Sequence, residues 1–167
     1  MKETELTTDE SRRFEVWAFG GGKGGTGKSA LAASVGFQLS RLGRRVVLVD
    51  ADFGGANLHT CLGVAPPVRS LLDLVREGGT VADEYALATP YPNLRFIGGR
   101  VDEGAGSLPA GWGARLSTAL RALPVDLVIL DLGSGVAPET VELMNMADFK
   151  VVVSVPEPSS IENVVSL

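Results

Sequence analysis

Phe14-Glu15-Val16-Trp17-Ala18-Phe19-Gly20-Gly21-Gly22-Lys23-Gly24-Gly25-Thr26-Gly27-Lys28-Ser29-Ala30-Leu31 is the stretch that decides the fold. Phe14, Val16, Trp17 and Phe19 predict a buried strand that stops in glycines. Leu31, Val35, Leu39 and Leu42 follow at helical spacing. Between strand and helix, Gly22 to Ser29 satisfies the Walker A pattern G-x-x-x-x-G-K-[ST]. Its glycines allow a backbone that wraps N–H groups around phosphate oxygens. The helix start after Gly27 adds the positive end of its dipole. Lys28 is placed to reach the β- and γ-phosphates and the Ser29 hydroxyl to ligate Mg²⁺. Gly22, Gly24, Gly25, Thr26, Gly27, Lys28, Ser29 and Ala30 are therefore the expected nucleotide-binding set, with a nucleoside triphosphate and Mg²⁺ as the expected ligands.

The rest of the chain fits an α/β domain around that loop. Its 167 residues suffice for one compact domain and are too few for two full ones. Hydrophobic residues at 45% and charged residues at 21% support a packed core. The net charge of −5 argues against a nucleic-acid partner bound through a basic surface. The single cysteine, Cys61, excludes an intramolecular disulfide and fits a reducing, cytoplasmic setting. Residues 1–13 are polar and read as a flexible leader, with no apolar core for a secretory signal.

Further strands are expected at Val46–Val49, Leu94–Ile97, Leu127–Leu130 and Val151–Val155. Helices are expected around Leu71–Val75 with Ser70 as cap, at Trp112–Leu123, at Pro138–Ala147, and from a cap at Ser159 or Ser160 onward. Phe53 to Gly63 reads as a glycine-containing loop with one helical turn. Aliphatic strands alternating with amphipathic helices imply a mostly parallel sheet with helices on both faces. The last helix has hardly begun at Leu167, so residues 14–167 read as the N-terminal portion of a P-loop NTPase domain, truncated at its C-terminus.

Three carboxylates stand where such a sheet binds ligands. Asp50 and Asp52 follow the Val46–Val49 strand, two apart and therefore on one face of an extended chain. Asp131 ends an aliphatic run in the manner of a Walker B motif, and its carboxylate would hold Mg²⁺. Gly135, four residues on, offers an N–H to the γ-phosphate. Lys23 is a positive charge that a Walker A loop does not require; read alone it is a solvated lysine.

Lys23-Gly24-Gly25-Thr26-Gly27-Lys28-Ser29 resembles the deviant Walker A motif K-G-G-x-G-K-[ST] of the MinD/ParA superfamily. Asp50-Ala51-Asp52-Phe53-Gly54-Gly55-Ala56-Asn57-Leu58 resembles its D-x-D-x-x-x-x-N-L segment. The likeness is nearest to the MinD and FlhG (FleN)-like branch. Asp131-Leu132-Gly133-Ser134-Gly135 resembles the D-T-G-A-G form of that branch, with Leu132 a departure. Val155-Pro156-Glu157-Pro158-Ser159-Ser160-Ile161 resembles its T-P-E-P-T-S-I stretch.

The resemblance implies an ATPase that switches by dimerising around ATP and positions a division site, flagellum, chromosome or similar assembly. It implies catalytic roles for Lys23, acting across an ATP-dependent homodimer, for Lys28, acting within its own protomer, and for Asp52, which orients the attacking water. Ser29, Asp50 and Asp131 would surround the metal. An activating or cargo protein is the implied partner. Contact with the inner face of the membrane is implied only for a longer form. Iron–sulfur cluster carriers share the same loop and form the alternative, marked by a later C-x-x-C absent from this chain. A non-hydrolysing fragment is the third reading.

His59 and Cys61, two apart with no second pair, do not make a zinc site. Cys61 is expected to be a semi-buried thiol. Trp17 and Trp112 are expected in the core, and Arg41, Arg44 and Arg45 as a solvated helix end.

Overall fold

The computed structural model describes residues 14–78, 81–100 and 106–165. The expected leader at 1–13 lies outside the described residues. Strands β1 (Glu15–Gly21), β2 (Val46–Ala51), β3 (Leu87–Ala88), β4 (Leu94–Ile97), β5 (Leu127–Ser134) and β6 (Phe149–Val152) form one sheet in the order β3-β4-β2-β5-β1-β6. All pairings are parallel except the short β3–β4 pair. Helices are α1 (Lys28–Arg41), α2 (Leu58–Leu62), α3 (Leu71–Arg76), α4 (Trp112–Arg121), α5 (Pro138–Asn145) and α6 (Pro158–Val165).

The aliphatic runs are where the sheet is covered on both faces. Every residue of β2 is buried, as are Leu127 to Leu132 of β5. Alternate residues of these strands feed two cores. Val47, Val49, Val128 and Leu130 pack with Leu71, Leu74, Leu116, Leu120 and Leu143 of α3, α4 and α5. Val46, Leu48, Leu127 and Ile129 pack on the other face with Ala32, Ala33, Leu58 and Leu62 of α1 and α2. Trp17 and Trp112 are half-buried, one against each core.

Several local expectations shift. The apolar spacing in α1 does not mark its buried face: Leu31 and Leu42 are exposed, and Ala32, Ala33, Gly36 and Ser40 face inward. A Cβ at Gly36 would lie 3.0 Å from Leu48 Cδ2, so the helix approaches β2 too closely for large side chains. Gly43 supplies the left-handed turn after the helix (φ 87°). Strand β6 runs over Phe149–Val152 rather than 151–155, in register with Trp17–Gly20 of β1. Helix α6 starts at Pro158, a residue suited to a first turn, and Ser160 is fully buried against Ser154 Oγ at 3.1 Å.

Ser70 caps α3 through a capping box with Asp73. Arg44 and Arg45 are not a solvated helix end. Arg44 pairs with Glu15 at 3.1 Å, and Arg45 pairs with the buried Asp126 at 2.7 Å, tying the start of β2 to the starts of β1 and β5.

Candidate phosphate-binding site

The loop sits at the carboxyl ends of the central parallel strands, where β1 gives way to α1. Gly25 (φ 76°) and Gly27 (φ 88°) take the left-handed conformations that other residues resist, which lets the chain curl into a cradle. Lys28 opens α1 and is only 7% exposed; its Nζ donates to the Lys23 carbonyl at 3.2 Å. Its charge is thus held inside the curve of the loop. The Thr26 hydroxyl donates to the same carbonyl at 3.5 Å.

A cavity of about 500 Å³ opens above the loop. Gly24, Gly25, Gly27, Lys28, Ser29 and Ala30 line one side, and Asp52, Asn57, Thr60, Cys61, Leu132 and Ser134 the other. Most of the sequence-predicted nucleotide set therefore converges on one space. Cys61 is exposed on its rim rather than semi-buried, because α2 turns that side outward.

The carboxylates divide by environment. Asp50 and Asp131 are paired across neighbouring strands β2 and β5, and both are buried. Burial pushes the Asp50 carboxyl up to about 7 against the pull of the Leu58 N–H, with the Asp131 charge adding to the rise. Burial likewise pushes Asp131 up to about 6, although the Ser29 hydroxyl and the Lys28 charge favour its ionised form. Asp131 Oδ1 has no hydrogen-bond partner among the described residues. A buried, unpartnered carboxylate oxygen beside a serine hydroxyl and a second carboxylate is a donor set suited to a hard divalent cation. No three acidic, histidine or cysteine side chains converge among the described residues. That suits a Mg²⁺ ion that takes its remaining ligands from phosphates and water.

Asp50 also has a structural task. Its Oδ2 accepts from the Leu58 N–H at 2.9 Å and fixes the start of α2. Asp52 is half-buried, and its Oδ1 accepts from the N–H groups of Gly55 (2.9 Å) and Gly54 (3.2 Å). It lies over Gly133, where a Cβ would come within 3.1 Å of Oδ1. Gly135 is left-handed (φ 89°) and donates its N–H to the Gly21 carbonyl at 3.0 Å, bracing the base of the loop. Ser134, not Gly135, borders the cavity.

Of the predicted residues, Gly22, Lys23, Thr26, Asp50, Asp131 and Gly135 do not line it. Lys23 points away, with Nζ 2.6 Å from Glu157 Oε2; both side chains are about half exposed. Gly22 is pressed under α6, where a Cβ would fall 2.3 Å from the Ser160 carbonyl oxygen. Asn163 Nδ2 donates to the Gly22 carbonyl at 2.8 Å. Glu157 and Asn163 are contacts that the sequence reading did not assign. Glu157 lies in a quoted motif, but its partner is 134 positions away.

A mostly parallel sheet with a glycine loop leading from β1 into α1, a buried lysine and paired carboxylates at the strand ends define a P-loop nucleotide-binding domain. The chain belongs to the CobQ/CobB/MinD/ParA nucleotide binding domain family, whose model matches residues 17–153. It is 31% identical over 168 residues to the flagellum site-determining protein YlxH of Helicobacter pylori, covering 96% of this chain and 55% of that protein. It is 29% identical over 167 residues to the antiactivator FleN of Pseudomonas aeruginosa, covering 92% and 55%. Its fold matches the septum site-determining protein MinD of Pyrococcus horikoshii, solved with Mg-ADP, at a TM-score of 0.77 and 26% identity, covering 90% of this chain and 61% of that one. The chain spans about half the length of the curated relatives it matches. No described helix is long and apolar enough to cross a membrane.

Proposed function

We propose that this chain is the phosphate-binding part of a Mg·ATP-dependent ATPase that acts as a dimerisation switch in placing a cellular assembly. The division site and the flagellum are the leading candidates. The observation that carries the reading is a cavity lined by buried Lys28, by Ser29 and by Asp52, with the buried Asp50–Asp131 pair behind it and the Ser29 hydroxyl on Asp131. The names of the relatives, which determine septum and flagellum sites, support the choice of output.

In this mechanism the loop N–H groups and Lys28 hold the phosphates. Ser29, Asp131 and Asp50 would hold the metal, which would supply positive charge to neutralise the phosphates. Asp52 positions water at the open side of the cavity. Lys23, outside its own cavity, serves the phosphates of a second protomer. An activating or cargo protein would time hydrolysis.

Calorimetry of Mg·ATP binding, repeated with EDTA, tests the reading. Binding that collapses without the metal is expected. No binding, or binding of equal strength in EDTA, contradicts it.

A further inference from the structure

Ser134 ends β5 in register with Gly21, beside the Gly135 N–H that bonds the Gly21 carbonyl. Its backbone is therefore held at the foot of the loop. Its hydroxyl borders the cavity opposite Gly24, 3.6 Å from where a Gly24 Cβ would stand. It has no hydrogen-bond partner among the described residues. The neighbouring Gly133 carries the Asp52 carboxylate over it. Ser134 thus stands between the glycine loop and the carboxylate assigned to water. The D-T-G-A-G pattern that this segment resembles has alanine at this position, so the hydroxyl lies outside the motif.

We propose that the Ser134 hydroxyl is a donor to the terminal phosphate of the bound nucleotide, an added contact that distinguishes a triphosphate from a diphosphate. The inference rests on the nucleotide reading above. Ser134 continues the strand that carries Asp131 and shares the cavity with Asp52, so in the proposed site it faces the phosphate end nearest the metal and the attacking water. The β-phosphate lies deeper, against the loop N–H groups and the start of α1. A hydroxyl donating to an anionic oxygen makes one of the stronger hydrogen bonds. Its position at the rim lets it engage the third phosphate without displacing Lys28.

The test compares Mg·ATP and Mg·ADP affinities of the chain with those of Ser134→Ala and Ser134→Thr, alongside their melting temperatures. Ser134→Ala should weaken Mg·ATP binding about tenfold, the loss expected for one hydrogen bond to a charged group. It should leave Mg·ADP affinity and melting temperature unchanged, and Ser134→Thr should keep the parent's preference. Unchanged ATP affinity in Ser134→Ala, or equal losses for ATP and ADP, overturns the proposal and leaves the nucleotide reading intact. A parent chain that binds neither nucleotide overturns both.

Discussion

The two lysines of the loop, five residues apart in sequence, are held in opposite ways. Lys28 is buried at the first turn of α1 and bonded within its own loop. The helix behind it is seated on β2 through small residues, and Gly36 lies against Leu48. Lys23 is about half exposed and is tethered only to Glu157, itself half exposed. Exposed ion pairs contribute little to stability, so that tether yields readily to a stronger anion. The contrast is between a charge fixed inside the loop and a weakly tethered one outside the cavity, and the proposed division of labour between the two lysines rests on it. Glu157 holds the Lys23 ammonium beside the loop and outside the cavity.

The largest expected effect lies on the fixed side. In the proposed water-orienting role Asp52 holds no phosphate, so Mg·ATP binding should persist in Asp52→Ala. The rate of hydrolysis should fall by about a hundredfold to ten-thousandfold, the usual loss for a positioned general base. A phosphate-release assay showing the parent rate would move that role elsewhere, with Asp50 next in line. Lys28→Ala should weaken Mg·ATP binding by about a hundredfold, because several charge-assisted hydrogen bonds to phosphate vanish together. Calorimetry giving unchanged affinity would remove the distinction between the two lysines.

A smaller effect concerns pH. The Asp50 and Asp131 carboxyls are raised to about 7 and about 6, so between pH 5 and 8 the folded chain binds more protons than the unfolded one. The metal-free protein should therefore lose stability as pH rises through that window. The melting temperature should be several degrees lower at pH 8 than at pH 5, with a shallower slope in Asp50→Asn. Mg²⁺ should restore part of the loss at pH 8 by pairing with the ionised carboxylates. Thermal melts that rise with pH across this interval would show that the pair is not buried as described.

Much of this frame was legible in the sequence because its signals are local. Val46–Val49 and Leu127–Leu130 are aliphatic throughout because both sheet faces are covered, and the loop motif is continuous in the chain. The face of α1 was not legible. Its leucines carry the helical period, yet the close approach to Leu48 selects Ala32, Ala33 and Gly36. Contacts between distant segments were equally hidden. Nothing local to Lys23 names Glu157, and nothing local to Gly22 names Asn163, 141 positions away. Cys61 read as semi-buried because α2 was no more than an expected turn; the helix that forms carries it to the cavity rim.

In the proposed switch Lys23 acts across a dimer and Lys28 within one protomer. Size-exclusion chromatography of the parent and of Lys23→Ala, each with and without Mg·ATP, tests it most directly. Mg·ATP should shift the parent to a dimer, and Lys23→Ala should stay monomeric while retaining most of its ATP affinity. A Lys23→Ala protein that dimerises with ATP as readily as the parent would contradict it and leave an ordinary monomeric P-loop ATPase as the better description.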